Sequence, residues 1–254
     1  MLEKHRRRAT LRSLGVCLIS VLPVPRVGAD EIKASLLVPP LYMASPVDAI
    51  TLSYSLHRGL LSGEGQLEWR PQGAGYTLSL TGSVAGFRWL EQRSVGTLNR
   101  HGLAPQHFSD QRGRNRQTAT ILNTEKRIAY SHAADAPWVP GTQDRLSWMI
   151  QLPAIISRLP VANNPEQRII LYITGARSDA DIWRFRFVSM ETVSTPLGPI
   201  MSHKWVREPR RELDSSVEVW LDPTQHYLPV RAQIGATDGA AIELLLRGDI
   251  PRFP

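Results

Sequence analysis

The sequence has a single cysteine in 254 residues, and Cys17 sits near the N-terminus, so residues 30–254 have none. That excludes an intrachain disulfide, a thiolate metal site and a cysteine nucleophile from the body of the chain. An exported domain built this way relies on its core for stability. Membrane-spanning runs are lacking too. The apolar stretch Leu14 to Val24 is short, and Pro23 and Pro25 interrupt it too soon for it to cross a bilayer comfortably. Histidines at metal-binding spacing are missing. Seven are present, His101 and His107 lie six apart across a proposed turn, and no His-Glu-x-x-His occurs. There is no Gly-x-Ser-x-Gly nucleophile elbow and no phosphate-binding glycine loop. With no convergent acid, base, nucleophile or metal set, neither an enzyme nor a cofactor is expected.

A basic surface is also lacking, although the net charge is +7. Residues 1–29 hold six positive side chains (Lys4, Arg6, Arg7, Arg8, Arg12, Arg26) and one negative, Glu3. Removing them leaves 24 positive and 22 negative residues, a net of +2. The charge belongs to the N-terminal segment and does not point to nucleic acid. That segment has the parts of a cleavable signal peptide. Lys4 to Arg12 is basic, Leu14 to Val24 is apolar, and Val27-Gly28-Ala29 is a small-residue cleavage signal before Asp30. An uncleaved anchor is the alternative. Arg7-Arg8-Ala9-Thr10-Leu11-Arg12 is a loose twin-arginine pattern, so general and twin-arginine export both stay open. Cys17 follows the bulky Val16 and makes a poor lipoprotein signal.

What is present is alternation. After a proline-rich, extended lead-in over residues 30–47, apolar and polar residues alternate at Leu52, Tyr54 and Leu56. The pattern returns at Tyr76, Leu78 and Leu80, and again at Ile169, Leu171 and Ile173. About a dozen strands at 8–12-residue spacing are expected, the signature of a sandwich or barrel. Asn99-Arg-His-Gly102 reads as the turn of a hairpin, and Val219 to Val230 echoes it in the second half. Between the halves lies the one helical pattern. Leu146, Met149, Ile150, Leu152, Ile156 and Leu159 recur at three- and four-residue steps. Thr142 is the expected N-cap and Asp144 suits the first turn. Pro153 interrupts the pattern and predicts a kink.

These readings give a mainly β (α+β) fold. About a dozen antiparallel strands form a curved sheet or open half-barrel. One kinked amphipathic helix, about residues 142–159, packs on the concave face. Residues 48–250 are expected to form a single domain.

Polar clusters give little chemistry. Asp179-Ala-Asp181 resembles the metal-binding pair of some glycosyltransferases, but its setting suits a polar turn. Glu64 and Glu68 share a strand face and read as surface carboxylates. Arg184, Arg186, Arg207, Arg210 and Arg211, near Trp183 and Trp205, form a basic run interleaved with Glu208, Glu212 and Asp214. It reads as a solvated strand face, with anionic lipid headgroups as the other reading. Trp69, Trp148 and Trp220 are expected in the core, and Trp89 and Trp138 nearer the surface.

The segments Gly102 to Ile121, Pro140 to Leu152 and Val217 to Ile234 resemble a family of exported proteobacterial proteins known as domain of unknown function 3108. Glu218-Val-Trp-Leu-Asp-Pro223, followed by Tyr227-Leu-Pro-Val-Arg231, is the most specific part. The resemblance covers most of the chain from about residue 48. It brings no catalytic or binding residues with it. Pro153 departs from the helix former usual there. More distantly, strands around one helix are similar to periplasmic lipoprotein carriers of the LolA and LolB type, at the level of fold alone.

The expected function is that of an exported periplasmic protein binding a lipid-like ligand in a half-barrel. Trp148, Met149, Leu152 and Ile156 are the candidate cavity or lid residues. The alternative is an envelope interaction domain with a filled core and no ligand. The expected partners are therefore a lipid or an envelope protein, with no nucleic acid and no membrane span after cleavage.

Overall fold

Alternating sequence becomes alternating burial. In the computed structural model, which describes residues 38–209, 214–236 and 239–248, Ile50, Leu52, Tyr54 and Leu56 of β1 (Ile50–Arg58) all face the core. So do Tyr76, Leu78 and Leu80 of β3 (Gly75–Val84). The described residues all lie in one compact unit. The expected leader, Arg210 and Arg211 fall outside the described residues.

Among the described residues there are fifteen strands and one helix. The first half contributes β1, β2 (Leu61–Gln72), β3, β4 (Phe87–Asn99), β5 (Gly102–Arg112), β6 (Asn115–Leu122), β7 (Arg127–Tyr130), β8 (Ala136–Pro137) and β9 (Gln143–Asp144). Helix α1 (Trp148–Ile156) follows. The second half contributes β10 (Arg168–Thr174), β11 (Asp181–Thr195), β12 (Gly198–Glu208), β13 (Val217–Asp222), β14 (Leu228–Ala236) and β15 (Gly239–Leu246). They make one unclosed, curved sheet in the order β8-β7-β6-β5-β4-β3-β2-β1-β15-β14-β13-β12-β11-β10-β9. The two halves join where β1 pairs with β15.

The sheet exceeds the expected dozen strands because β8 and β9 are two residues each, too short to carry an alternation signal. β9 is also an exception to antiparallel pairing, since it runs parallel to β10. Side chains bring the two ends of the sheet together where no backbone ladder does. Tyr130 and Thr174 share a hydroxyl hydrogen bond of 2.7 Å. The Tyr172 hydroxyl donates to the Pro137 carbonyl at 3.2 Å. Arg177 Nε donates to Gln117 Oε1 at 2.6 Å.

Helix α1 fills the interior and all nine of its residues are buried. It is shorter than the expected span of 142–159. Residues 143–144 pair with β10 instead, so the N-terminal end moves to Ser147 and Trp148. Thr142 is not the cap; its hydroxyl donates to Val139 O at 2.6 Å. The Asp144 carboxylate serves that end, accepting the Leu146 and Ser147 N–H groups at 2.9 and 2.7 Å. The helix runs through Pro153 as one element.

Amide side chains fasten this region to the first half. Gln151 Oε1 accepts Leu103 N–H at 2.8 Å, and its Nε2 donates to His101 O at 2.7 Å. Gln143 Nε2 donates to Leu103 O at 2.7 Å. The described part of the lead-in is a strap across the same region. Ser45 N–H donates to Ala154 O, Tyr42 Oη accepts Ile170 N–H, and Val47 O accepts Trp69 Nε1–H.

Candidate functional site

The hairpin register fixes which residues share a rim. β1 ends at Arg58 opposite Ile242, near the start of β15. In an alternating antiparallel sheet the same rim then holds the end of β5, the β10–β11 loop, the end of β12 and the end of β14. Arg112, Arg177, Asp179, Asp181, Arg207 and Ile234 are therefore neighbours although they span more than 120 residues of chain. The turn between β9 and α1 adds Arg145 from inside, and the first helical residue adds Trp148.

Two spaces open here. A cavity of about 120 Å³ has an apolar floor of Leu80, Leu90, Trp148 and Leu244. Its polar wall is Asp110, Arg112, Arg145 and Trp183. It adjoins an open cleft of about 550 Å³ that shares Arg112, Arg145, Arg177, Asp179 and Trp183.

Trp183 organises the wall. It is 1% exposed and packs against Trp148 and Phe185, with ring centroids 6.1 and 5.9 Å away. Arg145 and Arg207 each place a guanidinium carbon 4.8 Å from its ring centroid. Such contacts favour a cation most where water is excluded. Each arginine also meets a carboxylate. Arg145 pairs with Asp179 at 2.9 Å, Arg112 with Asp110 at 3.5 Å, and Arg207 with Asp214 and Asp181 at 3.3 and 3.4 Å. Asp179 reaches Arg145 by folding over Gly175, where a Cβ would come within 2.2 Å of its carboxylate.

The pairing leaves some buried atoms unmatched. Trp183 Nε1, Arg145 Nε and Asp110 Oδ1 are buried and have no hydrogen-bond partner. Arg112 Nε is a third such donor, so three donors and one acceptor belong to the polar wall of the cavity.

Behind the wall lies a second polar group, fully enclosed. Ser94 Oγ donates to Asp144 Oδ2 at 2.5 Å, and Tyr76 Oη lies 2.9 Å from Ser94 Oγ. Burial pushes the Asp144 carboxyl up to about 6, against the lowering effect of its hydrogen bonds to Ser94, Ser147 and Leu146. Burial, and then the Asp144 charge, hold the Tyr76 phenol well above its ordinary value. This cluster fixes the β9–α1 junction and so sets the positions of Arg145 and Trp148.

Of the four expected cavity residues, Trp148 borders the cavity. Met149, Leu152 and Ile156 are packed in the core and line neither the cavity nor the cleft. Asp179 lies in the β10–β11 loop and Asp181 begins β11, and each holds an arginine of the rim. Arg207 corrects the reading of the basic run as a solvated face. It is 5% exposed, beneath the rim and over Trp183. Its Nη1 also donates to the Ser215 carbonyl. Arg184, on β11, is exposed as expected. Arg112, Arg145 and Arg177 went unnoticed. The only signals were arginines beside turn glycines, in Arg112-Gly-Arg-Asn-Arg116 and Gly175-Ala-Arg177.

Other candidates disperse. His101 Nδ1 lies 2.9 Å from Tyr42 O, and His107 Nδ1 lies 3.3 Å from Thr120 Oγ1. Glu64 pairs with Arg247 and Glu68 with Arg70. Among the described residues, no group of three or more histidine, cysteine or acidic residues could hold a metal ion. No helix among them is long and apolar enough to cross a membrane.

The sequence matches the family described as protein of unknown function DUF3108 over residues 51–247. The chain belongs to the DUF3108 family. No curated protein matches it. Its fold is similar to that of a β-barrel-like protein of domain of unknown function DUF1849 from Brucella abortus. The TM-score is 0.51 at 12% identity, covering 82% of this chain and 100% of that one. A Bacteroides fragilis protein with a YmcC-like fold matches at TM-score 0.36 and 12% identity, over 84% of this chain and all of its own. The Brucella likeness carries the fold alone: a β-barrel-like, curved and unclosed sheet. The DUF3108 match brings no activity with it.

Proposed function

We propose that the chain binds an anionic amphiphile at this mouth. The first apolar carbons of the ligand occupy the cavity above Trp148, and its headgroup lies among Arg112, Arg145 and Arg177. The observation that carries this is the set of buried donors without acceptors, Trp183 Nε1, Arg145 Nε and Arg112 Nε, beside an apolar floor. Leaving a buried donor unpaired costs about 1–3 kcal/mol, which an anionic ligand oxygen recovers. Asp110 Oδ1 is a buried acceptor on the same wall and suits a headgroup hydroxyl. In this reading residues 1–29 are a cleaved export signal and the site of action is the periplasm. Residues 30–47 are the lead-in and residues 48–250 a single binding domain. Trp148 touches the ligand, while Met149, Leu152 and Ile156 hold the helix in place behind it.

The test uses a lysophosphatidylglycerol below its micelle threshold. Trp148 and Trp183 both border the cavity, so binding changes tryptophan fluorescence. Arg145→Gln should weaken binding about tenfold, the loss of one charge-assisted hydrogen bond. A fluorescence signal that is absent, or identical in Arg145→Gln, sinks the reading.

The filled interior favours a second reading, an envelope interaction domain without a ligand, since all nine helix residues are buried. Periplasmic crosslinking that recovers a specific protein through the rim, with no amphiphile binding, would support it.

A further inference from the structure

The rim that carries the cleft also carries exposed apolar side chains. Leu60 is 103% exposed, Phe87 79% and Leu61 54%. Leu60 and Leu61 form the tip of the β1–β2 hairpin and Phe87 the tip of the β3–β4 hairpin. β2 pairs directly with β3, placing Gly63 opposite Val84, so the two tips stand side by side. The next tip along the same rim joins β5 to β6 at Gly113 and Arg114. Neighbouring hairpin tips in such a sheet lie two strand spacings, about 10 Å, apart.

The charge of these tips has one sign. Residues 57–62, 84–89 and 112–116 contain five arginines (Arg58, Arg88, Arg112, Arg114 and Arg116) and no aspartate or glutamate. Arg58 lies over the half-buried Trp89, 4.9 Å from its ring centroid. Among the described residues, Glu91 pairs with exposed Arg88 at 3.2 Å and Asp110 with Arg112 at 3.5 Å. Exposed leucine and phenylalanine on protruding turns present no concave surface for a folded partner. Apolar tips set among arginines, with a tryptophan just behind, match the layering of a bilayer interface. The positive charge complements anionic headgroups.

We propose that this rim docks on the surface of an anionic phospholipid bilayer, with Leu60, Leu61 and Phe87 entering the headgroup region. Docking turns the mouth of the cleft toward the lipid, because Arg112 belongs both to the tips and to the cleft. The proposal stands on exposure and charge and does not depend on the ligand reading.

The experiment is vesicle flotation. The chain is expressed with its own N-terminal segment and purified as the cell leaves it. It is mixed with vesicles of phosphatidylcholine and phosphatidylglycerol, 7:3 by mole as a starting ratio of the order used for anionic surfaces. Wild type should float with these vesicles and be released by high salt. Leu60→Ser, Leu61→Ser and Phe87→Ser combined should lower the bound fraction roughly tenfold. Combined Arg58→Gln, Arg88→Gln, Arg114→Gln and Arg116→Gln should do the same. These side chains lie in hairpin turns or at the strand ends beside them, and unchanged thermal melting shows that each variant folds. Both variants should still bind lysophosphatidylglycerol in solution, which separates failure of docking from failure of the ligand site. Equal flotation of wild type and either variant overturns the proposal, as does equal binding to phosphatidylcholine alone. Loss of a protein complex in the apolar variant, with no flotation of wild type, would reassign the patch to a protein partner.

Discussion

At the scale of single residues, Asp144 is the most informative position. Its carboxyl is pushed up to about 6 by burial, against 3.8 in an unfolded chain. A raised carboxyl gives stability that is fully present below about pH 4. That stability is lost as pH rises toward 6, because the unfolded state ionises first. The loss amounts to roughly 3 kcal/mol by pH 7. Asp144→Asn should remove this slope between pH 4 and 6, since an amide can still accept from Leu146 and Ser147 and donate to Ser94. Urea unfolding at several pH values checks it, and an unchanged slope would place the titration elsewhere. Gly102 gives a second prediction. Its φ is +86°, and a Cβ there would lie 2.2 Å from Gln151 Oε1. Gly102→Ala should therefore cost about 2 kcal/mol or more by urea unfolding, combining backbone strain with a broken amide clamp. The sequence revealed Asp144 as an acid near a helix start, but not Ser94 or Tyr76. Ser94 on β4 and Asp144 on β9 are 50 residues apart on strands that do not pair, and their contact across the interior is recorded by no local pattern.

At the scale of elements, the strands were the readable part. One sheet face is buried, so period-two alternation had to appear wherever a strand was long enough. The helix was half readable. Its apolar stripe was visible, but a helix buried all round loses the polar face that marks its ends. Pairing of Gln143 and Asp144 with β10 then overrode the helical pattern at the start. Pro153 remains inside the nine residues and leaves the Met149 carbonyl without its usual donor. Removing an internal proline gains about 3 kcal/mol, while the smaller side chain loses roughly two buried methylenes, about 1.6 kcal/mol. Pro153→Ala should raise stability by about 1 kcal/mol, a shift of roughly 2–4 °C in melting temperature. A melting temperature that is unchanged or lower would mean that the proline ring fills space the helix needs.

At the scale of the whole molecule, the curved sheet has its interior filled by α1, and the proposed site lies at one rim. The end of β5, the β9–α1 turn, the β10–β11 loop and the start of β11 place Arg112, Arg145, Arg177 and Trp183 around a small apolar-floored cavity. The basic run was legible in the sequence, but not that Arg207 would fold inward while Arg184 stayed outside. Burial of a strand arginine depends on which rim its neighbours complete. An occupied site should also stabilise the fold. At a ligand concentration of 100 Kd the gain is about 2.7 kcal/mol, or roughly 5–10 °C in melting temperature. The most direct measurement compares two amphiphiles with the same tail by calorimetric titration, dodecyl phosphate and dodecanol, each below its aggregation threshold. The phosphate should bind at least about tenfold more tightly, and Arg112→Gln combined with Arg145→Gln should erase the difference. Equal affinity for the charged and neutral compounds, or a preference that survives loss of both arginines, would contradict a headgroup site at this mouth.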